Sequence, residues 1–391
     1  MAVASKRPLR VLFAAPAYWP AVAFGGPTWM AKKLTEALVR RGHEVEVVTT
    51  ALRAIGEAPA ARFHSTTARV DGVHVTYLAT PLRYRWMGVT PTLPLRLSRV
   101  RPDVVHVFGY RDVVTTLAAA WARWRRVPYV FEPLDMFLTR YRNVPLKRAF
   151  DRVLGIRVAR GARVVIANSD WEARQLVAAG LSADVIDTRA NGFPRPREAP
   201  PTGALRRQLG LDAETPLVLN VGRVSFKKGL DLLLAAAADL PGVHVAILGP
   251  DDGDGTLERL LAQRTALDLQ ARVHFLGPSD ARGPRDAYAD ADVFVLPSRN
   301  ESFGMVAAEA AAAGTAVVVT DRCGVAELLG GRGALVTSCD ADSLRDAIRR
   351  LLDDRDLRAA LGAGGREVAR ETTWDAVAER QEVLYELALG R

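Results

Sequence analysis

Long uncharged apolar runs are scarce in this chain of 391 residues. The best candidate, residues 302–320, is interrupted by Glu309, so no stretch reaches the roughly 18 residues of a spanning helix and no membrane span is expected. The opening MAVASKRPLRVLFAAPAYWP superficially suggests a signal peptide. Its apolar run is only about eight residues long and is broken by prolines, so it reads better as a buried first strand. Cysteine is almost missing: Cys323 and Cys339 have no metal-ligand spacing, which argues against a disulfide framework or a zinc site and for two reduced thiols in a cytosolic protein. No Asp-x-Asp pair stands at a position suited to a metal. With 49% hydrophobic and 25% charged residues, the composition excludes disorder and fits a globular protein. The length favours two domains of about 150 to 200 residues each.

Charge is unevenly placed. Residues 1–190 hold 29 Lys and Arg against 14 Asp and Glu, whereas residues 191–391 hold 24 against 30, within an overall charge of +9. A uniformly basic nucleic-acid binder would not show that split. The basic residues concentrate in 81–101, 121–126 and 139–163 with Trp and Tyr among them, a pattern that suits an anionic membrane surface or an anionic substrate.

Short β-rich runs alternate with helical patterns, and they do so twice. The first series is 9–16, 44–50, 73–79, 103–109, 128–133 and 163–169; the second is 216–223, 243–250, 273–278, 291–298 and 315–321. Between the first two runs, TWMAKKLTEALVRRGH (28–43) aligns Met30, Leu34, Leu38 and Val39 on one helical face, with Gly42 as its stop. Such alternation predicts parallel strands with helical crossovers. The proline-rich stretch around 192–203 marks a linker. The expected architecture is α/β: two Rossmann-like doubly wound domains facing across a cleft, spanning 1–190 and 204–371, with a linker at 191–203. A final amphipathic helix, 372–391, is expected to cross back to the first domain.

Two spaced motifs carry the chemistry. In NVGRVSFKKGLDLLL (220–234), Gly222 ends a strand and is followed by Arg223 and Lys228, two cations suited to gripping a diphosphate. In LPSRNESFGMVAAEA (296–310), Ser302 or Asn300 is expected to cap a helix starting near Phe303, and Gly304 to let a ligand approach bare N–H groups. If helical throughout, Glu301 and Glu309 lie about 12 Å apart along the axis, with directions about 80° apart. That is too far for an acid/base couple, but right for two carboxylates accepting from hydroxyls of one extended ligand.

The string G-R-(x)4-K-G followed by P-S-x-x-E-S-F-G-(x)4-E-A-x-A-x-G resembles the donor site of the retaining GT-B glycosyltransferases of family 4. The likeness extends to YWPAVAFGGPTWM near the start, DVVHVFG, NGFP and CGVAELL. The resemblance implies a hexosyltransferase that moves a sugar from a nucleotide-diphosphate sugar, with UDP the favoured nucleotide, to an acceptor hydroxyl. It implies that Arg223 and Lys228 neutralise the diphosphate, Glu309 holds the ribose, and Glu301 contacts sugar hydroxyls. Phe303 and Gly304 would then approach sugar and phosphate, Gly26 the leaving phosphate, and Gly277 and Pro278 would wall the base. Where relatives carry S-P-H-G-M this chain reads Glu132-Pro133-Leu134-Asp135-Met136, leaving Glu132, Asp135 and His106 as acceptor-side candidates. No cofactor is expected and turnover is expected to be metal-independent. The favoured acceptor is a lipid-linked or cell-envelope glycan intermediate, met by a cytoplasmic enzyme peripheral to the inner membrane face, as in polysaccharide biosynthesis. A soluble natural-product acceptor is the alternative. A different sugar-nucleotide enzyme such as an epimerase is more distant, and nucleic acid is not an expected partner.

Overall fold

A computed structural model describes residues 7–54, 57–84, 87–138, 144–196, 203–278 and 284–391. The arginine-rich segments at 81–101 and 139–163 and the linker at 191–203 lie partly outside these residues. The chain divides into two compact units, Met1–Gly192 with Trp374–Arg391, and Phe193–Thr373.

In the first unit the strands are β1 (Arg10–Ala14), β2 (Glu44–Thr50), β3 (Thr66–Val70), β4 (Val73–Leu78), β5 (Leu82–Tyr84), β6 (Met87–Val89), β7 (Val104–Phe108), β8 (Tyr129–Glu132), β9 (Val164–Ala167) and β10 (Ile186–Thr188). Eight of them form one sheet in the order β10-β9-β8-β7-β1-β2-β4-β3, while β5 and β6 pair as a separate antiparallel hairpin. All neighbours in the large sheet are parallel except β3 and β4. Central strands are buried along their whole length, as the VVHVF of β7 shows, because helices cover both faces of a parallel sheet. The exposed TTARV of β3 has no apolar run to announce it, and its pairing to β4 gives the sheet an antiparallel edge.

The helix expected over 28–43 runs from Gly26 to Arg40, with Gly42 just beyond at φ 94°. Met30, Leu34 and Leu38 are buried, whereas Val39 is half-buried.

In the second unit, β11 (Leu217–Val221), β12 (His244–Leu248), β13 (Val273–Gly277), β14 (Val293–Leu296), β15 (Ala316–Thr320) and β16 (Ala334–Thr337) form an all-parallel sheet in the order β13-β12-β11-β14-β15-β16. The chain winds outward from β11 to β13, then returns to β14 on the other side of β11. That reversal puts the topological switch point between β11 and β14, where ligands of open α/β sheets bind. The stretch read as the start of a linker is packed rather than free: Asn191 and Phe193 are buried, and Phe193 meets Phe303 edge to face at 6.1 Å.

The helix Trp374–Leu389 belongs to the first unit. Polar side chains from this helix enter the core. Arg189 donates to Glu132 Oε1 at 2.7 Å and to Gln381 Oε1 at 3.0 Å, and His106 joins Glu132 Oε2 at 3.1 Å to the Tyr385 hydroxyl at 2.8 Å. Removing one partner from such a buried charged set leaves the other unpaired, so Arg189→Leu is expected to cost about 3 to 5 kcal/mol. In thermal unfolding the first unit should melt at least about 6 °C lower; a shift within error would show that the network carries no stability.

Candidate functional site

At the switch point, the loops after β11 and β14 are neighbours. The first begins at Gly222 (φ 148°) and runs through a 3-10 turn at Phe226–Lys228 to Gly229 (φ 64°), ahead of the helix Leu230–Ala238. Arg299, from the second loop, holds the first in place. Its N–H donates to the Lys227 carbonyl at 2.8 Å, and its guanidinium donates to the Phe226 carbonyl at 3.1 Å and forks onto Asp231 at 2.7 and 2.6 Å.

Lys228 crosses over Gly222: a methyl group on that glycine would lie 3.5 Å from Lys228 Cε. The Lys228 ammonium donates to Glu301 Oε2 at 2.6 Å. Burial alone pushes the Glu301 carboxyl upward, but the charges of Lys228, Lys227 and Arg223 outweigh it and hold the group down at about 2. Glu301 is therefore an ionised acceptor, paired directly with Lys228 and lowered further by the charges of Lys227 and Arg223. Arg223 is half exposed and pairs with Asp252 Oδ1 at 2.9 Å. Asp252 and Asp254, two apart in sequence, are both engaged, since Asp254 accepts from the N–H groups of Phe226 and Thr256 at 3.3 and 3.0 Å.

The second loop departs from expectation. Its helix is Met305–Ala313, not a helix from Phe303, and its N-cap is Gly304 at φ 109° with no side-chain cap. Neither Ser302 nor Asn300 caps it, because the left-handed turn at Gly304 separates them from the first helical N–H groups. Glu301 is thus not on the helix at all; it forms an isolated bridge with Cys323 and sits in extended chain. The rise and angle expected from a continuous helix do not apply. A side chain at Gly304 would press on Leu296 and Val325 at 3.1 and 3.2 Å, so the helix start stays bare. Phe303 turns its ring into the core and accepts from the Val325 N–H through its carbonyl at 2.7 Å, fastening the CGVAELL loop beneath.

Glu309, one turn into that helix, accepts from the Tyr288 hydroxyl at 2.8 Å, and burial raises its carboxyl above the ordinary value. The two glutamates of the motif therefore have opposite environments: one held down by cations, the other pushed up by burial. Gly277 ends β13 at φ 68° with open space where a side chain would stand, and its carbonyl accepts from the Gly249 N–H at 2.7 Å; Pro278 follows, exposed. Gly249, at the end of β12 with φ 152°, was not singled out by the sequence. A methyl group there would overlap the Gly222 carbonyl, so three adjacent strands end in glycines that leave a bare backbone edge. The GP after an apolar run was the available signal. Arg299 and Tyr288 carried none, since their partners come from distant segments.

In the first unit, Gly26 is the first residue of its helix, behind the N-cap Gly25 at φ 82°. His106 and Glu132, expected as acceptor-side candidates, are both 0% exposed and form the centre of the Arg189–Tyr385 network. Burial lowers the His106 imidazole below its ordinary value, with the Glu132 carboxylate opposing that shift. Asp135 is half-buried in a turn beyond β8.

Two parallel-sheet units, with glycine-edged strand ends and cations at a switch point, define the GT-B class of glycosyltransferases. Residues 202–368 match the family described as glycosyl transferases group 1, and residues 25–192 match a glycosyl transferase 4-like domain. The chain is 33% identical to a D-inositol 3-phosphate glycosyltransferase of Xylanimonas cellulosilytica, over 94% of this chain and 93% of that protein. Among solved structures it resembles the catalytic domain of starch synthase IV from Arabidopsis thaliana bound to ADP and acarbose, with TM-score 0.78 and 16% identity over 98% of this chain and 100% of that one. It also resembles HepE of Anabaena in complex with UDP and glucose, with TM-score 0.74 and 20% identity over 96% and 98%. The chain belongs to the glycosyl transferases group 1 family and is a glycosyltransferase.

The sign of the Glu301 shift sets an acid limit. A carboxyl whose folded value lies below its ordinary 4.5 contributes stability above about pH 4.5, and loses it as pH falls toward about 2. The contribution is on the order of 3 kcal/mol. Denaturant titrations across that window should show the second unit weakening, with a flatter pH slope in Glu301→Gln; identical slopes would remove the ion pair from the stability account.

Proposed function

We propose that the enzyme transfers a sugar from a nucleotide-diphosphate sugar, with UDP as the nucleotide, to an acceptor hydroxyl with retention of anomeric configuration. The observation that carries this reading is the Lys228–Glu301 pair over Gly222 at the switch point, with the Arg223 charge acting on the same carboxylate. Breaking a glycosyl–phosphate bond leaves negative charge on the departing diphosphate. Lys228, Arg223 released from Asp252, and the bare helix start at Met305 stabilise that charge where it develops. Glu301 accepts from sugar hydroxyls, and Glu309, beside Tyr288, from the ribose. Gly277 and Pro278 flank the base. The two cations supply the charge that a divalent ion supplies in other transferases, so metal-independent turnover belongs to this reading. HepE, whose structure was solved with UDP and glucose, supports the choice of nucleotide. In the transfer the acceptor oxygen bonds to the anomeric carbon from the face the diphosphate leaves, the carbon–phosphate oxygen bond breaks, and the acceptor proton passes to the phosphate.

Replacing Arg223 and Lys228 together by Ala is expected to lower turnover at least about a thousandfold. UDP should raise the melting midpoint of the parent protein and not of the double variant. Undiminished turnover, or indifference of the parent to every nucleoside diphosphate in a thermal-shift panel, would sink the reading.

For the acceptor, the reading is a lipid-linked or cell-envelope glycan intermediate, reached by a cytoplasmic enzyme peripheral to the membrane. Among the described residues no helix is long and apolar enough to cross a membrane. Support comes from the carboxyl edge of the first sheet. The hairpin β5–β6 follows β4 there with Leu82 66% exposed and Tyr84 also exposed, and the loop after β2 leaves Phe63 72% exposed. Residues 72–102 contain five arginines and no acid. A soluble phosphorylated polyol is the second reading, favoured by the name of the Xylanimonas relative. Co-sedimentation should retain the protein on anionic phosphatidylglycerol vesicles and release it from phosphatidylcholine, with Leu82→Ser and Tyr84→Ser weakening retention; indifference to lipid charge would favour the soluble acceptor.

A further inference from the structure

Three of the six non-glycine residues with positive φ among the described residues stand at the carboxyl ends of β7 and β8: Arg111 (φ 58°), Leu134 (φ 55°) and Asp135 (φ 63°). The last two are consecutive, and the Met136 N–H donates to the Pro133 carbonyl at 3.0 Å, so Pro133–Met136 is a turn whose two central residues are both left-handed. Asn-Gly is the usual solution for that turn, because other residues are strained in it. Leu-Asp persists only where its surroundings over-determine it, and such strain gathers at functional edges.

The surroundings act from two sides. Glu172, buried on the helix after β9, accepts the Asp135 N–H on Oε1 at 2.6 Å. Its Oε2 accepts the Asn168 N–H at 2.8 Å and the Asn168 side-chain amide at 3.2 Å. From the other side Arg111, also buried, donates to the carbonyls of Met136 and of Phe137, the latter at 2.9 Å, and is itself held by Asp151 at 2.9 and 2.6 Å. A guanidinium only donates, whereas a carboxylate that faces N–H donors through both oxygens accepts fully only when ionised.

We propose that Glu172 is a proton-sensitive latch and Arg111 a permanent brace, together holding the Leu134–Asp135 turn in its left-handed form, and that protonation of Glu172 frees the turn. Burial raises the Glu172 carboxyl from 4.5 to about 7, with the charge of Asp135 on the turn adding to the rise and the Asn168 and Asp135 N–H groups opposing it. The other charged groups nearby are Arg111 and Asp151 across the turn, Glu132 on β8 beyond Asn168, and Arg189 beyond Asn191. A raised value means the latch is ionised and closed above neutrality and takes up a proton from water below it. For catalysis, the latch matters through the reading of this unit as the acceptor side: it would set the acid limb of turnover by presenting Asp135 in one orientation. The latch itself does not depend on that reading.

Hydrogen exchange of the segment 133–138 in the full-length protein, corrected for the intrinsic pH dependence of exchange, tests it without any substrate. Protection of the Asp135 amide should fall about tenfold between about pH 8 and pH 6 in the parent protein. In Glu172→Gln it should be low at both, with global melting nearly unchanged, while Arg111→Lys should loosen the segment yet keep the pH dependence. Protection indifferent to pH in the parent protein, which requires no variant to fold, overturns the latch and leaves the transferase reading intact. Absence of nucleotide binding would sink that reading and leave the latch standing.

Discussion

A single contact between an ammonium and a carboxylate, Lys228 to Glu301 at 2.6 Å, spans the point where the second sheet reverses direction. One partner arrives on the loop after β11 and the other on the loop after β14, about seventy residues later, so the pair exists only because those strands are neighbours. A partly buried ion pair is maintained where further groups offset its desolvation. Here Arg299 ties the two loops together, and the extended backbone at Glu301 is bonded to Arg322 and Gly324. The result is a carboxylate ionised over nearly the whole pH range, beside cations that outnumber it.

Bare backbone is the second constraint. Gly222, Gly249 and Gly277 end three adjacent strands with positive φ, and Gly304 opens the helix on the other side of the switch. A side chain at Gly249 would overlap the Gly222 carbonyl and one at Gly304 would press on Leu296 and Val325, while Gly277 faces open space. The first unit solves the opposite problem. Its buried polar groups, His106, Glu132, Arg189, Gln381 and Tyr385, face one another rather than a ligand, and they fix the returning C-terminal helix to the sheet.

Most strands of both sheets were legible, because a parallel sheet covered on both faces demands unbroken runs such as VVHVF and AVVVT. The strands β3, β5, β6, β10 and β16 were not: they lie at edges or in a separate hairpin, where short or exposed stretches lack that signature. The spaced motifs brought Gly222, Lys228 and Glu301 to one place as their spacing suggested. The helical geometry drawn from Glu301 to Glu309 failed because the left-handed Gly304 intervenes. The network around His106 and Glu132 was not legible, since a polar residue in an apolar strand looks the same whether it faces a ligand or, like Glu132, a buried arginine 57 residues further along the chain.

Strand propensity and motif spacing are local properties, and they settled the two-sheet α/β plan and the residues that carry positive charge in the second half. Partnership is not local. That Arg299 clamps the 222–229 loop, that Tyr288 meets Glu309, and that Glu172 reaches the strained turn after β8 depended on which strand ends the sheet order placed side by side. Hydrogen bonds of this kind join groups far apart in the chain, so only the folded packing could decide them.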